Sequence, residues 1–268
     1  MNVQNIPRKD KVIKTAFVPK LDIFMFFDYK QIELRLLAFY LDSIGDDTMA
    51  EVFRGGLDLH TETACSLFNT QDPTDEQRQI GKTLNFSIVY GGGRPTVMAQ
   101  LGVSSSEAGA LLRSFHRRWP GIKALQETIH QVYEQRGYIK TLWGRQLHPE
   151  SPHKEMNALI QGCGADLIRS ATVRVHDELE GYVSHTVNIV HDELMLDVAI
   201  REAKDISTLV PMCMIPDVVD RVLPVEVDVE WSGTTWADKR SWKEFDDGSN
   251  VRRHDPGTRV QSHLPLRV

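Results

Sequence analysis

An α+β fold is predicted by three observations: β-type runs at residues 23–27 and 185–200, a helical block over 48–135 between them, and a half-buried strand pattern at 223–233. The first run, "IFMFF" from Ile23 to Phe27, is continuous, apolar and short enough for a buried strand, and it meets Asp28. From Ile32 the period changes. Ile32, Leu36 and Tyr40, with Leu34 and Leu37 beside them, predict a helix that ends before "DSIGDD". An acid therefore sits where a strand hands over to a helix. Before it, residues 1–20 hold Arg8, Lys9, Lys11 and Lys14 between Pro7 and Pro19 and read as an extended lead-in.

The block from 48 to 135 is helical, with breaks at Gly55-Gly56, "NTQDP", "GGGRP" (91–95), "GVSSS" (102–106) and Pro120-Gly121. "GYIKTLWGRQL" (137–147) predicts a hairpin turning near Gly144, and residues 153–183 one long helix with a Gly-rich middle. "HTVNIVHDELMLDVAI" (185–200) predicts two strands around a tight turn at "HDE". Residues 202–222 read as a helix interrupted by Pro211 and Pro216, and "LPVEVDVEWSG" (223–233) alternates like a half-buried strand. From Asp246 the chain is polar and aperiodic, as a mobile tail is. No internal repeat is present.

With 268 residues, 41% hydrophobic and 25% charged, the chain is long enough to bury a substantial core. No run of about 18 apolar residues exists to span a membrane, and the amino terminus lacks the basic-then-apolar layout of a secretory signal, so a cytosolic protein is expected. Cys65, Cys163 and Cys213 are too few for a disulfide framework and have no CxxC spacing, so they read as small reduced apolar residues. The net charge of -6 gives no field that would attract a polyanion. Any contact with nucleic acid must come from a local basic surface.

The segment "RQIGKTLNFSIVY" (78–90) spaces Arg78, Lys82, Phe86 and Tyr90 at intervals of four, after a capping box of Thr74 and Gln77. At about 100° per residue such positions share one flank of a helix. Two cations near the amino end conflict with the macrodipole, which an anionic ligand would relieve, and aromatic rings further along suit stacking on a base. A nucleoside triphosphate laid along the helix satisfies both features. Taken alone, the segment is better read as an amphipathic helix with a solvated basic edge and aromatic core residues.

A second feature bears on that choice. Asp28 and Asp192 each close an apolar β run, and carboxylates at strand ends can converge on hard cations. Two Mg²⁺ ions about 4 Å apart activate an attacking oxygen and stabilise a leaving one. Taken singly, each is an ordinary turn aspartate, as Glu193 beside Asp192 is a turn residue.

"DYKQIELR" (28–35), "RQIGKTLNFSIVYG" (78–91) and "VHDE" (190–193) resemble, in order, motifs A, B and C of family A DNA polymerases. "QNIP" (4–7), "LDLHTETA" (57–64), "GYIKTLWGR" (137–145) and "MNALIQGCGADLI" (156–168) resemble further signatures, and the likeness covers roughly residues 2–240. The resemblance implies a palm made of residues 1–47 and 137–245 with a small antiparallel sheet and flanking helices and an inserted all-α fingers subdomain over 48–136, which leaves 246–268 as the flexible tail that its polar, aperiodic sequence predicts. It implies dNTP addition to a primer 3'-hydroxyl. Asp28 and Asp192, with the Tyr29 carbonyl, would hold two Mg²⁺ ions, and Lys82 would join the two aspartates as a catalytic group. His60, Arg78 and Lys82 would grip the triphosphate, Phe86 would lie near the sugar and Tyr90 near the templating base. Glu33 would be the steric gate against a ribose 2'-hydroxyl. Arg145, Gln161 and His191 would touch the primer-template duplex, and Glu193 would play a supporting part.

Three features depart from the pattern: Lys30 stands where the family usually has Ser, Ser87 where it has Gly, and Gly81 weakens the helix by about 1 kcal/mol relative to Ala, suggesting a softer fingers helix. Family members also carry a thumb before the QNIP segment, which leads to the expectation of a separate polypeptide supplying it, with weak, salt-sensitive grip on DNA otherwise. Two alternatives are a non-catalytic remnant that binds DNA or a partner, and a single-subunit RNA polymerase, which shares the Lys82 to Tyr90-Gly91 spacing; Glu33 and QNIP favour the DNA enzyme. Arg113, Arg117 and Arg118 read as template contacts or a solvated face, and Trp119, Trp143, Trp231 and Trp236 as core or interface anchors.

Overall fold

A computed structural model describes Ile6 and residues 11–245. The tail from 246 and the rest of the QNIP segment lie outside the described residues. By its internal contacts the chain divides into two units. One comprises the chain to Asp28, Val175–Val210 and the chain from Asp228; the other comprises Tyr29–Arg174 and Pro211–Val227.

The first unit is built on an antiparallel sheet of order β4-β5-β1-β6-β7, made of β1 (Ile23–Tyr29), β4 (His185–Val190), β5 (Glu193–Val198), β6 (Val227–Ser232) and β7 (Arg240–Ser241). β1 is central and buried except at Asp28, Ile23, Met25 and Phe27 being fully buried. A strand covered on both faces has no polar face to show, which is why its sequence is an unbroken apolar run. Phe24 and Phe26 cluster with Met195 and Trp236, against which Ile6, Phe17 and Val190 pack. The expected lead-in is not wholly extended: Lys11–Lys14 forms a single helical turn, α1. The predicted strand at 223–233 begins only at Val227, because Pro224 has no N–H and the Val225 amide is taken by the Asp220 carboxylate at 2.9 Å.

In the second unit the predicted breaks separate α2 (Ile32–Ser43), α3 (Thr48–Arg54), α4 (Leu59–Phe68), α5 (Asp75–Val89), α6 (Arg94–Leu101), α7 (Ser105–Arg118) and α8 (Gly121–Arg136). The predicted capping box forms: Thr74 accepts from the Gln77 amide and Gln77 returns to the Thr74 amide. A second box, Ser104 with Glu107, opens α7. The hairpin is β2 (Ile139–Lys140) and β3 (Gln146–Leu147). α9 (Glu155–Glu178) stops short of the predicted end at 183, in a turn where Gly181 takes a φ of +94°.

α10 (Ala203–Met214) runs through Pro211, against the expected interruption. That proline sits in the last turn, so one missing N–H leaves most of the ladder intact. The break does come at Pro216, which caps the short α11 (Asp217–Asp220). Among the described residues no helix is long and apolar enough to cross a membrane. All three cysteines are free, Cys163 and Cys213 being buried.

Candidate active site

β1 and β5 run antiparallel with Asp28 opposite Glu193, one residue from Asp192. Val190 pairs with Glu193, so His191 and Asp192 form a two-residue turn, and His191 takes a left-handed φ of 58°. The end of the sheet thereby gathers Asp28, His191, Asp192 and Glu193 on the wall of a cavity of about 380 Å³, which Lys11, Lys14, Glu230 and Lys239 also line. The two predicted aspartates are thus brought together by strand register, although they lie far apart in sequence.

Glu193 is already engaged. Its carboxylate accepts a hydrogen bond from Lys239, whose ammonium is also 3.5 Å from Glu230 and lies 4.2 Å from the centre of the Phe26 ring. Burial pushes the Glu193 carboxyl up, and Lys239 opposes that. Lys239 was not legible in the sequence, since a lysine 46 positions away has no periodic relation to its partner.

Among the described residues no group of three or more His, Cys, Asp or Glu side chains is placed to hold a metal on its own. Mg²⁺ does not need one. It is commonly held by one or two carboxylates with water and substrate phosphates as the remaining ligands. Two hard-oxygen side chains on one cavity wall, with Glu193 diverted to a lysine, fit that requirement.

In the second unit α5 packs closely on α4. A Cβ on Gly81 would fall 2.6 Å from the His60 carbonyl oxygen and 3.1 Å from the Ala64 amide nitrogen. Gly81 is therefore a contact point between helices. Arg78 lies on the predicted flank but is held by a protein carboxylate: its Nε and Nη2 donate to Asp58 at 3.0 and 2.9 Å. Asp58, with Asp75 and Glu76 in the first turn of α5, supplies negative charge at the amino end of the helix, where the macrodipole favours it. Lys82 makes no ion pair among the described residues.

Asp58 is the N-cap of α4, accepting from the Thr61 amide at 2.8 Å, and it also accepts from Gln31, the N-cap of α2. Its burial is outweighed by Arg78 and Thr61, which hold its carboxyl well below the usual range. An aspartate directly before a helix was the signal available in the sequence.

His60 is 3% exposed, and its ring lies 5.6 Å from that of Phe86. Burial, reinforced by the charges of Arg78 and Lys82 against that of Asp58, brings its pKa down to about 4. The unfolded chain, near the ordinary value of 6.5, binds more protons between these limits. The stability held above pH 6.5 is therefore lost as pH falls toward 4, by on the order of 3 kcal/mol. Denaturation midpoints measured from pH 7 to pH 4 will fall in the parent chain and fall less steeply in His60→Gln; equal slopes would refute this assignment.

Phe86 and Tyr90 stack at 5.9 Å, and the exposed Tyr90 donates its hydroxyl to Glu33 at 2.7 Å, so these predicted residues meet. Arg145 donates to Asp166 at 2.6 Å and to the Gly162 carbonyl at 2.8 Å, next to exposed Gln161. Arg118 lies over the Trp119 ring and 3.6 Å from Glu62. Trp119, Trp231 and Trp236 are buried, while Trp143 is 40% exposed.

The departures have local reasons. Buried Ser87 donates its hydroxyl to Gln100 of α6. Lys30 lies 3.0 Å from Glu226, which also takes Arg35 at 2.6 Å. Since Arg35 is 3% exposed, Glu226 keeps a buried guanidinium paired. Glu226→Ala is expected to lower stability in urea unfolding by about 2 kcal/mol, and Lys30→Ser, which removes only an exposed pair, by less than about 0.5 kcal/mol. The opposite ranking would contradict this.

The model of DNA polymerase family A matches residues 1–238. DNA polymerase I of Bacillus caldotenax is 35% identical over 260 residues, 89% of this chain and 29% of that protein. The thermostable DNA polymerase I of Thermus filiformis is 32% identical over 248 residues, 85% of this chain and again 29% of the relative. The chain thus spans less than a third of the length of these relatives. A solved structure, the POL domain of Pol1 from M. smegmatis in complex with DNA primer-template and dNTP, superposes with a TM-score of 0.80 at 28% identity, covering 88% of this chain and 44% of that one. With its motifs in order and its fold shared, the chain belongs to DNA polymerase family A.

Proposed function

We propose that this chain carries the nucleotidyl-transfer centre of a template-directed DNA polymerase. The observation that carries this reading is the register that sets Asp28 opposite Glu193 and beside Asp192 on one cavity wall. Asp28 and Asp192, with the Tyr29 carbonyl, would hold divalent metal. Bound there, Mg²⁺ supplies activation of the attacking 3'-hydroxyl and charge relief on the departing oxygen.

The chain's own residues do the rest. Lys82 and Arg78 bind the triphosphate and offset charge on the leaving pyrophosphate, with Asp58 fixing the direction of the Arg78 guanidinium. His60 donates a hydrogen bond to the same anion, Phe86 packs on the sugar, and Tyr90 stacks near the templating base. Glu33 excludes a 2'-hydroxyl, which selects dNTPs. Arg145, Gln161 and His191 bind the primer-template duplex. Residues 1–47 and 137–245 act as palm and 48–136 as fingers. The complex of the M. smegmatis domain with primer-template and dNTP supports these partners. A cytosolic location is part of the same reading.

The test is single-nucleotide primer extension by the purified chain with Mg²⁺ at low salt, with all four dNTPs offered singly. Extension only by the template-matched dNTP supports the proposal; no extension at any enzyme concentration favours a non-catalytic DNA-binding role.

A further inference from the structure

We propose that Asn85 is a positioning residue for His60, fixing the imidazole as the tautomer whose proton is on Nε2, so that a neutral donor faces the anion bound by Lys82 and Arg78. This rests on the triphosphate-binding reading of those residues.

A chain of buried groups surrounds Asn85. Trp119, fully buried, donates its indole N–H to the Thr63 hydroxyl at 3.2 Å, and the one proton of that hydroxyl is shared between the Leu59 carbonyl at 2.8 Å and the Asn85 carbonyl oxygen at 3.0 Å. With its carbonyl oxygen toward Thr63, Asn85 presents its amide nitrogen to His60 Nδ1 at 2.9 Å. Asn85 is 1% exposed and Thr63 fully buried, so water does not compete for these bonds. A carboxamide nitrogen can only donate, so Nδ1 must accept and carries no proton. In a neutral imidazole the proton is then on Nε2.

The charges around the ring give this tautomer its use. Arg78 and Lys82 both act on His60, opposed by Asp58. An imidazolium beside those cations would be repelled in the absence of a ligand, whereas a neutral Nε2–H adds a donor without adding a charge. Asn85 enforces that state from behind the ring, since a proton on Nδ1 would face the two amide hydrogens.

The assignment is read directly from long-range ¹H–¹⁵N spectra of the full chain labelled with ¹⁵N-histidine, without nucleotide, at pH 7.5. The His60 signals are those lost in His60→Gln. The expected pattern is a protonated Nε2 and an unprotonated Nδ1. In Asn85→Asp an acceptor replaces the donor, and the proton is expected on Nδ1. Calorimetric titration with dATP and Mg²⁺ is then expected to show affinity weakened about tenfold in both Asn85→Asp and His60→Gln.

A protonated Nδ1 with bare Nε2 in the parent chain overturns the proposal, and that spectrum decides the matter even if Asn85→Asp fails to fold. An unchanged tautomer in a folded Asn85→Asp chain overturns it as well. If the tautomer switches but dATP affinity is unaltered in both variants, the placing of His60 against the triphosphate is what fails, and the positioning role falls with it.

Discussion

Asp28→Asn and Asp192→Asn will each reduce template-directed single-nucleotide extension by on the order of a thousandfold or more while leaving the fold in place. Asparagine keeps the planar shape and turn preference of aspartate but removes the charge that a hard cation requires. The two side chains share a cavity wall through the β1 and β5 register, so losing either leaves one carboxylate where the proposed chemistry needs two. The thermal midpoint is expected to stay within a few degrees of the parent, since neither residue belongs to the buried core. Extension that survives either substitution at near-parent rate would remove these residues from the reaction. Loss of extension together with loss of cooperative melting would assign them a structural part only.

Gly81→Ala is expected to lower stability by about 2–3 kcal/mol, although alanine is the better helix former by about 1 kcal/mol. The added methyl would meet the His60 carbonyl and the Ala64 amide, which are backbone atoms of α4 and cannot rotate away as a side chain would. For a chain of this size the loss corresponds to a fall of roughly 5–10 °C in the melting midpoint. A midpoint equal to or above that of the parent would show that helix propensity outweighs packing here. Because α4 carries His60, the same substitution is expected to weaken dNTP binding as well.

Much of the architecture was legible because it depends on local signals. The helix breaks in the 48–135 block fall at Gly, Pro and Asn-rich stretches whose backbone preferences are intrinsic, and the Thr74–Gln77 box formed as its spacing requires. The carboxylates at 28 and 192, which the register sets at one end of the sheet, stood out because each closes an apolar β run. Other features were not legible. Pro211 was read as a break because its position within the helix, one turn from the end, depends on where the helix stops. β6 was read as too long because the Asp220 side chain that captures the Val225 amide comes from a different element. The links from Lys239 to Glu193 and from Asn85 to His60 join positions whose separation has no helical or strand period, so only tertiary contact reveals them. Arg78 was placed on the correct flank, but its carboxylate partner 20 positions earlier was missed for the same reason.

The Asp58 carboxylate receives donors from Gln31, Thr61 and Arg78. These groups sit at the starts of α2, α4 and α5, so one pair of oxygens is common to three helix openings. The energies of the three contacts are therefore not separable quantities. Removing one donor changes the charge and orientation that the others meet, and effects measured one residue at a time will not sum to the effect of removing the acceptor. In a mutational map of this chain position 58 would behave as a junction, intolerant out of proportion to any single contact it makes, and its coupling energies would report the joint order of the three helices.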